Sequence, residues 1–158
     1  MLRRVKLGFR GPEVSEVCFG SLAISPLQGR LSEKEGREVL EYAVSQGIDW
    51  IDTAEIYNNY AQLKPVLARH PDLKIVSKTY AVSSAELFKS LEEARRQLDR
   101  DIIDIFMLHE QENHLTLKGH AEAWEALLKA KSQGKIKYIG ISTHAVQGVR
   151  AAALQPGL

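Results

Sequence analysis

The feature that most constrains this chain is a repeated alternation. A short β-rich run is followed by an amphipathic helical run, five times over. The strands are expected at residues 14–19, 50–51, 74–77, 102–108 and 137–142. The helices are expected at 32–46, 60–69, 83–98, 118–132 and from about 145 onward. Ser32 with Glu35, and Ser83 with Glu86, have the spacing of a capping box, in which each residue satisfies a backbone N–H of the other. Val39, Leu40, Ala43 and Val44 form an apolar face on the first helix. Leu87, Phe88, Leu91, Ala94 and Leu98 do so on the third, and Trp124, Leu127 and Leu128 point inward from the fourth. Gly47 and Gly134 stand where a helix stop needs a left-handed residue. The run at 102–108 is nearly unbroken in its apolarity, as expected of a strand covered on both faces.

Strand and helix in strict alternation imply parallel strands joined by right-handed crossovers. An open doubly wound sheet and a barrel both satisfy that rule. Gly8, Gly11 and Gly20 do not supply the G-x-G-x-x-G turn of a dinucleotide-binding open sheet, which favours the barrel. The expected fold class is therefore α/β, a partial (β/α)8 barrel with parallel strands that ends after the fifth strand–helix unit. No linker or low-complexity segment marks an internal boundary within 1–158.

Charge excludes some partners. Twenty-one Lys and Arg against 20 Asp and Glu leave a net charge of +1, which offers nucleic acid no basic surface. No run approaches the ~18 apolar residues of a membrane span, and no leader peptide is evident. A cytoplasmic location is the expectation. Cys18 has no second cysteine to pair with and reads as a small buried residue.

In a barrel of this class, chemistry collects at the C-terminal ends of the strands. Asp52 follows the second strand, with Tyr57 five residues on. Lys78 ends the third strand, His109 the fourth and Ser142 the fifth. Each has an ordinary structural reading alone: a helix cap, a half-buried aromatic, a solvated lysine, a hydrogen-bonded histidine, a loop serine. Together they would need separate accidents to reach one mouth. They also fit one chemistry. Reduction of a carbonyl needs a proton delivered to the developing alkoxide. A tyrosine of reference pKa ~10 becomes a better donor if an ammonium lowers that value, and a carboxylate holds the ammonium in place. A histidine can orient the substrate oxygen.

The segment Gly47-Ile48-Asp49-Trp50-Ile51-Asp52-Thr53-Ala54-Glu55-Ile56-Tyr57 closely resembles the D-T-A-x-x-Y signature of the aldo-keto reductase family. Ile75-Val76-Ser77-Lys78 is similar to that family's strand-three lysine segment. Ser90-Leu91, Leu98, Ile103-Asp104 and Leu108-His109 match its long segment ending in histidine. Gly134-Lys135-Ile136-Lys137-Tyr138-Ile139-Gly140-Ile141-Ser142 is similar to G-K-I-R-x-I-G-V-S. The chain would then be the N-terminal portion of such a barrel. The resemblance implies an NADP(H)-dependent oxidoreductase acting on a small carbonyl substrate. It implies Tyr57 as general acid, tuned by Lys78 and Asp52, with His109 orienting the carbonyl. It also implies cofactor contacts from Gly20, Ser21, Asp52, Ser142 and Thr143, and no metal. Two places depart from the family: Thr143 stands where asparagine is common, and Asn58-Asn59-Tyr60 follows the tyrosine.

A complete barrel of this type takes roughly 250 residues. The loops that clamp pyrophosphate and 2′-phosphate in the family follow strands seven and eight. A chain of five units is therefore expected to bind NADP(H) weakly, to leave apolar inner-face side chains wet, and to self-associate through its open sheet edges. Two other readings compete. The chain could be a non-catalytic fragment or pseudoenzyme. Alternatively, His109, Glu110, Glu112 and His114 could recruit zinc in a metal-dependent hydrolase, although their spacing is not H-E-x-x-H.

Overall fold

The computed structural model describes residues 2–9 and 11–155. Among the described residues, seven strands and six α-helices follow one another. β1 (Arg4–Lys6) and β2 (Glu13–Ser15) form an antiparallel hairpin. β3 (Phe19–Gly20), α1 (Glu33–Ser45), β4 (Trp50–Asp52), α2 (Tyr60–Arg69), β5 (Lys74–Thr79) and α3 (Ser84–Leu98) come next. β6 (Ile103–Leu108), α4 (His114–Gly119), α5 (Ala121–Ser132), β7 (Ile136–Ile141) and α6 (Val146–Ala152) complete the order. Strands β3-β4-β5-β6-β7 form one parallel sheet in sequence order. That is the α/β, partial-barrel arrangement expected from the alternation.

Both capping boxes form. The Glu35 N–H donates to Ser32 Oγ and the Ser32 N–H to Glu35 Oε2; Ser83 and Glu86 repeat the exchange. Gly47 and Gly134 take φ of +96° and +72°, the left-handed geometry that ends α1 and α5. The outer face of the sheet carries the core. Ile51, Ile75, Phe106 and Leu108 are sealed beneath Leu40, Leu63, Leu67, Leu87, Leu91 and Leu127 of the helices.

Several local expectations change. The single strand at 14–19 is two pieces, because Glu13–Ser15 pairs backward with Arg4–Lys6 before Phe19 joins the parallel sheet. Parity in a short run cannot reveal that switch of partner. The helix at 118–132 breaks at His120, whose ring nitrogen turns back to the Thr116 carbonyl, and a separate turn of helix precedes it. Val39 faces solvent at 43% exposure, and Gly36 joins Leu40 and Ala43 on the buried side of α1. Cys18 is only half-buried; burial and the nearby Asp52 carboxylate push its thiol up to about 12. The last helix, expected from about 145 onward, runs over Val146–Ala152.

The inner face encloses a concave space of about 1110 Å³, lined by Val76, Ile105, Met107 and Tyr138 and floored by Leu7 and Pro12. Its apolar lining is only partly sheltered from water. Val76 and Ile105 are buried, Trp50, Met107 and Tyr138 are half-exposed, and Leu7 and Phe9 are exposed.

The hairpin is fastened at the N-terminal ends of the strands by Asp49. Its carboxylate accepts from the Ser15 N–H at 2.7 Å and pairs with Arg4 at 2.7 Å and Lys74 at 3.3 Å. The Trp50 indole N–H adds bonds to the Ser15 and Val17 carbonyls. Burial alone would raise the Asp49 pKa, but these donors outweigh it and hold the group at about 2. A folded-state value below the unfolded one adds stability above the unfolded value and loses it as pH falls through the folded one. Asp49→Asn is therefore expected to cost about 2 kcal/mol at neutral pH. In urea titrations the difference from the unsubstituted chain should close between pH ~4 and pH ~2. A constant difference across that window contradicts the assignment.

Candidate functional site

The sequence-predicted polar residues meet at the C-terminal ends of β4, β5, β6 and β7. Parallel register carries them there: Gly20 is level with Asp52, Asp52 with Val76, and Lys78 with Met107, whose second neighbour along the chain is His109. Asp52 is the last residue of β4 rather than following it, and Lys78 is the last but one of β5.

Lys78 is the best-held member. Its ammonium is 5% exposed and lies 2.6 Å from Asp52 Oδ1 and 2.8 Å from the Thr53 carbonyl. A lysine is buried this deeply at bearable cost because both acceptors are in place. Its Nζ is 5.2 Å from the centre of the Tyr57 ring. Tyr57 is half-buried on the turn Glu55–Tyr57, and the left-handed Asn58 (φ +49°) ends that turn. The Tyr57 and His109 rings meet edge to face, with centres 5.9 Å apart.

The electrostatics of Tyr57 differ from expectation. Burial first, then the Asp52 and Glu110 carboxylates, push its pKa up rather than down. The Lys78 ammonium, paired with Asp52, does not outweigh them. Tyr57 is therefore fully protonated near neutral pH, the form from which a proton can be given. His109 moves the other way. Burial and then the Lys78 ammonium lower its pKa, so its imidazole is neutral at pH 7.

The expected cofactor contacts divide. Gly20 leaves open space where a side chain would stand, beside Asp52 at the mouth. Ser142 Oγ accepts the Glu110 N–H at 2.9 Å, which leaves its own O–H free to donate. Ser21 is fully buried and its Oγ has no hydrogen-bond partner. Thr143 is committed elsewhere: its Oγ1 accepts the Ala145 N–H and packs against Gly148. A Cβ at Gly148 would lie 2.2 Å from both Thr143 Oγ1 and the Gln111 carbonyl, so only glycine lets α6 approach this turn.

The zinc-type cluster does not assemble. Glu110 turns to Tyr80 and His144, Glu112 accepts the His144 N–H, and His114 starts α4. Among the described residues, no group of three or more His, Cys, Asp or Glu could hold a metal ion.

Sequence reasoning missed three supports. Asn59, 1% exposed, accepts from Thr53 Oγ1 and donates to the Ser21 carbonyl, tying the β3 and β4 ends together. The Glu55 carboxylate accepts from Thr79 and Ser90 hydroxyls and so anchors the turn that carries Tyr57 to β5 and α3. Tyr80 stacks on His109. Only Tyr80 had a legible signal: it is two residues past Lys78, where strand alternation repeats the same face.

This geometry has a known setting. The sequence profile of the aldo/keto reductase family matches residues 16–157. The chain belongs to that family. It is 30% identical to a Glycine max protein named "Probable aldo-keto reductase 1", over 98% of this chain and 49% of that one. The solved holo form of aldo-keto reductase AKR11C1 from Bacillus halodurans superposes with a TM-score of 0.79 at 24% identity, over 91% of this chain and 51% of that one. A Bombyx mori aldo-keto reductase solved in complex with NADP gives a TM-score of 0.77 at 20% identity, over 98% and 55%. At those identities the two structures speak for the fold. The chain spans about half the length of the relatives it matches. Among the described residues, no helix is long and apolar enough to cross a membrane.

Proposed function

We propose that these residues supply the proton-transfer half of an NADP(H)-dependent carbonyl reductase site, with Tyr57 as the general acid. The observation that carries this reading is the Lys78 ammonium, buried on Asp52 and held beneath the Tyr57 ring. Tyr57 gives its proton to the carbonyl oxygen as charge builds there, and the phenolate left behind faces Lys78. That charge exists only after transfer, so the ammonium stabilises the transition state more than the resting enzyme. Asp52 keeps the ammonium in register. Neutral His109 has one ring N–H to give and steers the substrate oxygen toward Tyr57.

The residues at the mouth fit the nicotinamide end of the cofactor, which supplies the hydride when bound. Gly20 leaves room beside Asp52, and Ser142 has a hydroxyl proton free for a carboxamide. Thr143 is withdrawn from this role by its turn. The NADP held by the Bombyx mori relative supports the choice of cofactor. Nothing among the described elements provides a pyrophosphate or adenine cradle, so affinity rests on the nicotinamide end alone. Fluorescence titration of the chain with NADPH is expected to show binding far weaker than micromolar; micromolar binding refutes this. Among the described residues β3 and β7 are the outer strands of the sheet, so concentration-dependent association is part of the same reading.

The test is turnover of NADPH with a reactive aldehyde by the chain and by Tyr57→Phe. Loss of a measurable rate in the variant supports the reading. Equal rates in both remove Tyr57 from its role. No rate in either leaves the competing one, a non-catalytic fragment that keeps the reductase constellation.

A further inference from the structure

We propose that Tyr80 is a positioning residue for His109, and that Glu110 holds it there. The proposal rests on the reading of His109 as the group that orients the substrate oxygen. A functional histidine usually has its ring fixed by a hydrogen bond from the nitrogen not in use. His109 lacks that device. It is 6% exposed, its Nδ1 is buried without a partner, and neither ring nitrogen forms a hydrogen bond among the described residues. Its hydrogen bonds are all through the backbone: the N–H donates to the Thr79 carbonyl at 2.9 Å, and the carbonyl accepts from Gln111 Nε2 at 2.9 Å.

Two aromatic rings take the place of the missing bond. Tyr57 meets the imidazole edge to face. Tyr80 lies nearly parallel to it, with centres 4.5 Å apart and an interplanar angle of 23°. Tyr80 is itself 42% exposed, so packing alone does not fix its ring. Its hydroxyl does: Tyr80 Oη donates to Glu110 Oε2 at 2.5 Å. Burial and that carboxylate push the Tyr80 phenol well above its ordinary value, so it stays a donor.

Glu110 is built for this tether. Its backbone takes φ +51°, a left-handed conformation that a non-glycine residue adopts at a cost. In that conformation its N–H reaches Ser142 Oγ while its carboxylate reaches Tyr80, with His144 Nε2 at 3.5 Å on the other oxygen. One residue thereby joins the ends of β5, β6 and β7 around the imidazole.

The experiment follows the imidazole resonances of the full chain by NMR, with the His109 signals assigned from a His109→Gln variant. Because Tyr80 stacks on it, His109 should show upfield-shifted ring protons. Tyr80→Leu should move them downfield. Glu110→Ala, which touches neither ring, should move them the same way. Glu110→Gln, which still offers an acceptor, should restore most of the shift. His70, His114 and His120 should stay in place and serve as controls. His109 signals that do not respond to Glu110→Ala, or a Glu110→Gln spectrum matching that of Glu110→Ala, overturn the tether. If Tyr80→Leu fails to fold, the two Glu110 variants still decide. Where the chain turns over, Glu110→Ala should lower kcat by about tenfold or more with KM nearly unchanged, since misorientation of this kind is felt in the transition state. The NMR arm stands whether or not the chain reduces a carbonyl, so failure of the positioning role and failure of the reductase reading are separable.

Discussion

Tyr57→Phe is expected to lower kcat for NADPH-dependent aldehyde reduction by roughly 10²- to 10⁴-fold, the range a general acid contributes. KM should change little, because the phenyl ring keeps its contacts with His109 and Lys78. Stability should hold within ~0.5 kcal/mol, since the Tyr57 hydroxyl forms no hydrogen bond among the described residues and is half-buried. That combination is the signature to seek in steady-state rates and a melt measured side by side. A variant that loses activity together with stability would point to a structural tyrosine. The pH profile adds a check. The Tyr57 pKa is raised, so the donor form persists through neutrality, and any alkaline fall in kcat assigned to it should come above the ordinary tyrosine range.

Asp52→Ala should be the most destabilising change at the site. It strands the Lys78 ammonium, 5% exposed, with only the Thr53 carbonyl as acceptor. Breaking a buried pair from one side costs about 3–5 kcal/mol, and we expect about 3 because Asp52 itself is 33% exposed and water can partly replace it. In urea the unfolding midpoint should fall by roughly 1 M or more. Adding Lys78→Met should recover most of the loss, because the uncompensated charge goes with it while apolar volume stays. A midpoint unmoved by Asp52→Ala, or a double variant no better than the single, contradicts the picture of a pair held by mutual need.

These predictions concern residues that local sequence rules brought into view, and the same rules explain where they stopped. Capping boxes at Ser32 and Ser83 form as spaced, because both partners lie within one helical turn. The left-handed glycines at 47 and 134 are equally local. Val39 escaped because its burial depends on which way α1 rolls against α2, which helical periodicity leaves open by a residue. The hairpin escaped because Glu13–Ser15 and Phe19–Gly20 satisfy the same alternation while pairing with different partners.

The sequence by itself determined the alternating parallel architecture and the identity of Asp52, Tyr57, Lys78 and His109. Strand–helix alternation forces right-handed crossovers, and strand ends then share one face. What only the tertiary structure decided is how those groups act on one another. Lys78 is buried against Asp52, and burial with the Asp52 and Glu110 carboxylates leaves the Tyr57 pKa raised rather than lowered. Thr143 is drawn into a turn by the close approach of Gly148. Tyr80, just past the end of β5, stacks on His109 and is tied there by Glu110. Burial and through-space charge depend on neighbours distant in sequence, and no spacing rule along the chain carries them.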